Sequence, residues 1–99
     1  EAFRNQLRGK VQMIIEVTQE DIATGKPRSE DRCPVALALH RQTHLPVSVS
    51  YTTWGNKIDG YALFSGRVRQ WIVDFDAGLP VQPITFRTRR LSLWGWVKV

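Results

Sequence analysis

The sequence predicts an α+β fold, with a mostly antiparallel sheet of 4–5 strands and two main helices packed on one face. Three observations lead to this prediction. Residues 82–90 alternate apolar and polar side chains with the period of two expected for a strand with one buried face. Residues 11–17 are rich in β-branched side chains, which favour strands. Over residues 66–77 one apolar stripe recurs at helical spacing, formed by Val68, Trp71, Ile72 and Phe75.

Length and composition limit the chain to one domain. It has 99 residues, of which 42% are hydrophobic, 10% aromatic and 23% charged. These values are typical of a small globular protein with a modest core, and they exclude a disordered chain and a coiled coil. We interpret residues 1–10 as an N-terminal tail or a cloning remnant, and residues 11–99 as a single α+β domain.

The first predicted elements are a strand over residues 11–17 and a short helix. Thr18 starts the helix, because an acidic residue, Asp21, follows at the spacing of a capping box. Gly25 and Pro27 then stop it. The polar residues that follow are predicted to form a loop.

A second helix is predicted to begin at Asp31, which is a good N-cap residue. Pro34 then falls in its first turn, where the missing N–H has no helical partner to lose. Pro46 ends the helix. The segment 46–53 alternates apolar and polar residues and is predicted to be a strand with one solvated face.

A turn at residues 55–56 is predicted to return the chain as a second strand over residues 58–63. Ser65 is a suitable N-cap for the helix with the apolar stripe, and Gly78, followed by a proline, is the expected stop. Two strands complete the prediction, at residues 82–90 and 91–99.

The segment 31–44 contains the only cysteine and both histidines of the chain. On one helix, Cys33, His40 and His44 would share a face. However, Cys33 and His44 would lie about 16 Å apart along the axis, too far for a single metal ion with bonds of about 2 Å. The pair His40 and His44 lacks a third ligand nearby. We therefore predict no metal and no cofactor.

No residue pattern indicates catalysis. Cys33 has no base within reach, because His40 is two turns away, so Cys33 is predicted to be a packed structural residue. The sequence contains no glycine-rich phosphate loop and no nucleophile elbow. A single cysteine and the lack of a signal segment favour the cytoplasm. No apolar run approaches the roughly 20 residues that cross a bilayer, so no membrane association is expected.

The net charge of +5 is concentrated in the C-terminal half, which suits an anionic partner. Arg87 and Arg89 would project from one strand face, and arginines of the preceding helix would extend the patch towards phosphates. Trp94 and Trp96 share a strand face and would supply stacking surfaces for single-stranded nucleic acid. The candidate nucleic-acid-binding residues are Arg67, Arg69, Arg87, Arg89 and Arg90.

The tail 91–99 is predicted to be a strand with bulky apolar groups on both faces, which favours a protein interface or self-association. The candidate interface residues are Leu91, Leu93, Trp94 and Trp96.

Three motifs give the chain a recognisable pattern: VTQEDIATG, RCPVALALHR and VRQWIVDFDAGLPVQPITF. In this order they resemble a group of small uncharacterised proteins from phages, prophages and other mobile elements. The resemblance covers most of residues 12–87, and the tail 88–99 departs from it. It implies a mobile genetic element as the setting and gives no catalytic residues.

The sequence thus predicts a small, cytoplasmic, non-enzymatic interaction protein that binds a protein partner or a second copy of itself, as a homodimer. Two alternatives stay open. One is a nucleic-acid-binding protein that uses the arginine-rich strand, and the other is a cysteine- or metal-dependent enzyme.

Overall fold

The computed structural model describes residues 12–91, and within this range it contains five strands and three helices. In chain order they are β1 (Gln12–Val17), α1 (Gln19–Thr24), α2 (Pro34–Thr43), β2 (Ser48–Val49), β3 (Thr53–Asn56), β4 (Gly60–Leu63), α3 (Gly66–Asp76) and β5 (Ile84–Arg89). The predicted α+β class is confirmed. No described helix has the length and apolar content needed to cross a membrane.

The five strands are divided between two antiparallel sheets instead of forming one. β1 pairs with β5, and β3 pairs with β2 on one side and β4 on the other. The separation has a physical cause at the facing edges of β4 and β5. The guanidinium of Arg67 donates to the carbonyl oxygen of Thr85 in β5 (2.8 Å), and that of Arg89 donates to the carbonyl of Tyr61 in β4 (3.0 Å). Arginine side chains thus satisfy carbonyls that a continuous ladder would otherwise pair.

The core lies between the inner faces of the two sheets and the helices. In β5 the predicted alternation is confirmed, because Ile84, Phe86 and Thr88 are buried while the residues between them are exposed. The stripe of α3 faces the same core with Val68 and Ile72. The remaining two stripe residues, Trp71 and Phe75, stack on each other at its margin with ring centroids 5.9 Å apart.

Two of the three predicted helix caps are confirmed. Thr18 and Asp21 form the capping box of α1, and the hydroxyl of Ser65 accepts from the backbone N–H of Val68 at the start of α3. The N-cap predicted for Asp31 is wrong. α2 begins at Pro34, so Cys33 is its N-cap, and the Cys33 Sγ accepts a hydrogen bond from the backbone N–H of Ala36 (3.4 Å).

The segment predicted as a strand over residues 46–53 is interrupted. The hydroxyl of Ser50 accepts from the backbone N–H groups of Thr52 and Thr53, which turns the chain directly after β2. The turn predicted at residues 55–56 is wrong as well, because both residues lie within β3. It lies at residues 57–59 instead, where the Asn56 side chain accepts from two backbone N–H groups.

Gly55 is required by the close approach of β3 to β4. Its φ is +150°, and an added Cβ would lie 2.1 Å from the carbonyl oxygen of Gly60. Leu91 also packs at this point, with its Cδ1 2.9 Å from the same position. The strand predicted over residues 91–99 lies outside the described residues from residue 92 on, and Leu91 itself is not in a strand.

Asp21 joins β1, α1 and α2. Its carboxylate accepts from the backbone N–H of Thr18 (2.8 Å) and forms an ion pair with the guanidinium of Arg41 from α2. Arg41 donates in addition to the carbonyl oxygen of Glu16 in β1 (3.1 Å). Burial by itself raises the pKa of Asp21, but the hydrogen bonds from Arg41 and Thr18 outweigh it and leave the pKa below its ordinary value.

Replacing Asp21 by asparagine is expected to destabilise the fold at pH 7 by about 2 kcal/mol, because it removes the charge partner of Arg41 and replaces one of the two acceptor oxygens by an N–H donor. A carboxyl group whose pKa is lower in the folded than in the unfolded state stabilises the fold at pH values above the unfolded-state pKa. This stabilisation is lost as the pH falls through the folded-state pKa. Urea denaturation at neutral and acidic pH should therefore show the wild-type advantage over D21N shrinking below the ordinary pKa of 3.8.

The matched control is Glu20→Gln, an exposed acid beside Asp21. We expect it to change stability by about 0.5 kcal/mol or less. Equal stability of D21N and E20Q at neutral pH would contradict the role given to Asp21.

A buried hydrogen bond joins the two sheets through the core. The indole Nε1 of Trp54 in β3, which is fully buried, donates to the hydroxyl of Thr88 in β5 (2.6 Å).

Thr88→Val keeps the shape of the side chain but leaves the indole N–H of Trp54 without an acceptor. We expect the free energy of unfolding, measured by thermal denaturation, to fall by about 1–3 kcal/mol. Thr85→Val, an exposed position on the same strand, is the control and should cost about 0.5 kcal/mol or less. Equal melting temperatures would refute this role for Thr88.

Candidate interaction surface

All five arginines predicted to contact nucleic acid are exposed, but the structure does not gather them into one patch. Arg67 and Arg87 line the same groove. Arg89 lies at the junction of the two sheets, where it donates to Tyr61. Arg69 folds back over the start of α3, with its Nη2 3.6 Å from the Cβ position of Gly66. Arg90 follows the end of β5.

Arg67 and Arg89 have structural roles in addition to their charge. Each donates one hydrogen bond to a strand carbonyl, so each guanidinium is held in a fixed position. A guanidinium has five N–H donors, so both side chains keep donors for a ligand. Fixed, exposed arginines lose less conformational entropy on binding than free ones.

A groove between the start of α3 and the outer face of the β1–β5 pair contains two of these arginines. It has a volume of about 400 Å³ and is lined by Ile14, Ser65, Arg67, Thr85, Phe86 and Arg87. We call it the ribbon groove. Ile14, which is 61% exposed, lies directly opposite Arg87 in the β1–β5 register. The groove therefore combines an apolar side chain with two guanidinium groups.

The free edge of β1 borders the ribbon groove and is only partly covered. At Glu16 the Gln42 side chain of α2 donates to the backbone carbonyl (2.9 Å) and accepts from the backbone N–H (3.3 Å). Backbone groups alternate in direction along an antiparallel strand, so those of Gln12 and Ile14 point to the same side as those of Glu16. Within residues 12–91 they have no hydrogen-bond partner. We call Gln12 and Ile14 the open edge.

The residues predicted to form the interface are mostly outside the described part of the chain. Leu93, Trp94 and Trp96 lie beyond residue 91. Leu91 is partly buried and packs against the core. The apolar residue that the structure does expose at the groove is Ile14, which sequence reasoning overlooked. The available signal was its position as the one apolar side chain between Gln12 and Glu16 on a strand face.

The cysteine and the two histidines of segment 31–44 all have structural roles. Cys33 is buried, as predicted. Burial raises the pKa of its thiol, and the nearby Asp76 raises it further, against a backbone hydrogen bond from Ala36 that lowers it. The Nδ1 of His40 lies 2.8 Å from the carbonyl oxygen of Leu45, and His44 is the left-handed C-cap of α2. Among the described residues no three potential ligands are grouped as a metal site would need.

Cys33 forms part of the floor of a second cleft, of about 380 Å³, between the loop before α2 and the end of α3. Its rim is held by Asp76, which accepts from the backbone N–H of Arg28 (2.8 Å). A hydrogen bond from the Tyr51 hydroxyl to Asp76 raises the pKa of Tyr51. This carboxylate therefore connects the loop before α2 and the turn after β2 to α3.

We expect the Cys33 thiol to react slowly with iodoacetamide in the native protein, because burial keeps it protonated and out of reach. The matched control is the double variant C33S/E30C, which moves the sole thiol to an exposed position on the rim of the same cleft. Native Cys33 should react at least about tenfold more slowly than this control at pH 8, and the difference should vanish in urea. Similar native rates would revive a reactive-cysteine function.

Comparison of the chain with protein-family models, with curated proteins and with solved structures gives no match.

Proposed function

We propose that this chain is a small non-enzymatic interaction protein that binds another protein through the ribbon groove. The observation that carries the proposal is the exposed Ile14 side chain between the strand edge and the paired guanidiniums of Arg67 and Arg87. Arginine is enriched at protein interfaces, and binding energy there concentrates at apolar anchors beside charged groups that exclude water. The groove supplies this combination.

Nucleic acid is the second candidate, because the same two guanidiniums can bind phosphate oxygens. Two features favour protein. The apolar group beside Arg87 is the aliphatic Ile14 side chain, which offers no flat ring for a base to stack on. Furthermore, only Arg67 and Arg87 of the five candidate arginines line the ribbon groove, so the charge that the groove offers to a phosphate backbone is limited.

Several further properties belong to the same proposal. The resemblance to mobile-element proteins supports a phage or prophage setting, and the single cysteine supports a cytoplasmic location. Self-association through Leu91, Leu93, Trp94 and Trp96 stays a prediction. A cysteine- or metal-dependent enzyme has the weakest support, because Cys33 caps a helix from a buried position.

The test places a photo-crosslinking amino acid at position 14 and, as a control, at Val73, an exposed apolar position on α3. In cells of the native host, the probe at position 14 should give a protease-sensitive adduct that the probe at Val73 does not give. Adding Arg87→Glu, which reverses the charge beside the probe, should reduce the yield of the adduct about tenfold.

Three outcomes separate the candidates. An adduct removed by nuclease instead of protease would establish the nucleic-acid alternative. An adduct at the mass of two copies of the chain would identify self-association through the groove. Equal adducts from positions 14 and 73 would mean that the ribbon groove is not the binding surface.

A further inference from the structure

Among residues 12–91, the free edge of β1 is covered at its C-terminal end and uncovered at its N-terminal end. At Glu16 both backbone groups are taken by the side chain of Gln42, and Arg41 adds a second bond to the carbonyl. At the open edge, Gln12 and Ile14 present N–H and C=O groups with no partner among residues 12–91. Unpaired strand edges are templates for an added strand, and proteins usually cover them. Here α2 covers the edge only as far as Glu16.

On the outer face of the β1–β5 pair, positively charged residues of β5 lie directly opposite the two residues of the open edge. In β5, Arg87 is the direct partner of Ile14, and Arg89 is the direct partner of Gln12. Both arginines are exposed. The two residues of the open edge are therefore the two that have an arginine across the ladder. The pairing partner of Glu16 is the uncharged Thr85.

We propose that the open edge takes up an extended acidic segment of a partner protein as an added strand. The added strand exchanges backbone hydrogen bonds with Gln12 and Ile14. The inference rests on the proposed protein-binding function and specifies the chemistry of its partner. Main-chain bonds at a sheet edge supply affinity in this mode, and side chains on alternate positions supply specificity.

Charge complementarity determines the kind of segment. Residues directly opposite each other in a sheet project from the same face, so partner side chains opposite Gln12 and Ile14 lie on the face of Arg87 and Arg89. The added strand and β5 are two strand spacings apart, about 10 Å. A glutamate and an arginine, extended towards each other over Ile14, span this distance. Alternation of glutamate with apolar residues fits this face.

Glu16 sets the limit and the register of the added strand. Its backbone is occupied by Gln42, so the ladder stops at Ile14. Its own carboxylate lies on the same outer face and repels an acid placed opposite it. An acidic residue of the added strand is therefore favoured opposite Gln12 and Ile14 and disfavoured opposite Glu16.

The first experiment titrates the full chain with a short synthetic peptide that alternates valine with glutamate. Two further peptides, valine with lysine and the glutamate peptide with a proline at its centre, are the controls. NMR should show exchange of the Ile14 amide proton slowed about tenfold by the glutamate peptide and unchanged by the controls. Equal protection by the lysine peptide would overturn the charge argument.

The second experiment removes one hydrogen-bond donor without changing the side chain. Cys33 is the only cysteine, so ligation between residues 32 and 33 gives the full chain with N-methylated Ile14. This N–H points away from β5, so the β1–β5 ladder is preserved, and circular dichroism checks the fold. Affinity for the glutamate peptide should fall about tenfold relative to the ligated unmethylated chain. Unchanged affinity would overturn strand addition.

A third experiment tests the contribution of Arg87 without N-methylation, so it applies even if methylation disturbs the fold. Arg87→Gln should weaken binding of the glutamate peptide about two- to fivefold at low salt, whereas Arg32→Gln, an exposed arginine in the loop before α2 that does not line the ribbon groove, should leave it unchanged. Equal effects of the two would overturn the proposal. If the edge pairs two copies of this chain instead, sedimentation will show a dimer that N-methylation dissociates, which also overturns it.

Failure of this inference can be told apart from failure of the proposed function. A protease-sensitive adduct at position 14, together with full affinity of the N-methylated chain, would keep protein binding and remove the added strand. No adduct at position 14 would remove the proposed function itself.

Discussion

The ion pair between Asp21 and Arg41 fixes the first strand and the first two helices relative to one another. Asp21 is nearly fully buried, and its carboxylate also closes the capping box of α1. Because Arg41 bonds to Glu16 at the same time, α2 is held along the edge of β1. The next residue, Gln42, then reaches the backbone of Glu16. The ion pair thus helps to hold α2 where the Arg41 and Gln42 side chains cover the edge of β1 at Glu16.

Arginine side chains also connect neighbouring elements at the facing edges of β4 and β5. β4 and β5 face each other across a gap that Arg67 and Arg89 fill with hydrogen bonds to strand carbonyls. The inner faces stay in contact through Phe64 and Phe86, whose rings pack edge to face with centroids 5.9 Å apart. The sheets are consequently joined in the core and separated at the surface. The separation leaves Arg67 beside Arg87, so the same bonds that divide the sheets also shape the ribbon groove.

Local patterns predicted the parts of the fold that depend on local chemistry. The caps at Thr18 and Ser65 and the alternation in β5 were correct, because each is decided by residues a few positions apart. The division into two sheets was not predictable in this way, since it depends on Arg89 reaching a carbonyl 28 residues away. Among the residues that line the ribbon groove, the sequence indicated Arg67 and Arg87. The exposure of Ile14 was overlooked, because its only signal was the polar Gln12 and Glu16 on the same strand face.

Exposure of one isoleucine on a small protein is ordinary and needs no function to explain it. Ile14 differs through what surrounds it. Its side chain lies beside Arg87, its partner across the ladder, and its backbone groups have no partner among residues 12–91 although α2 covers the edge next to it. A β-branched residue suits the strand conformation of β1, but threonine would supply the same preference with less apolar surface at the edge. The proposed partner would cover both the Ile14 side chain and the edge.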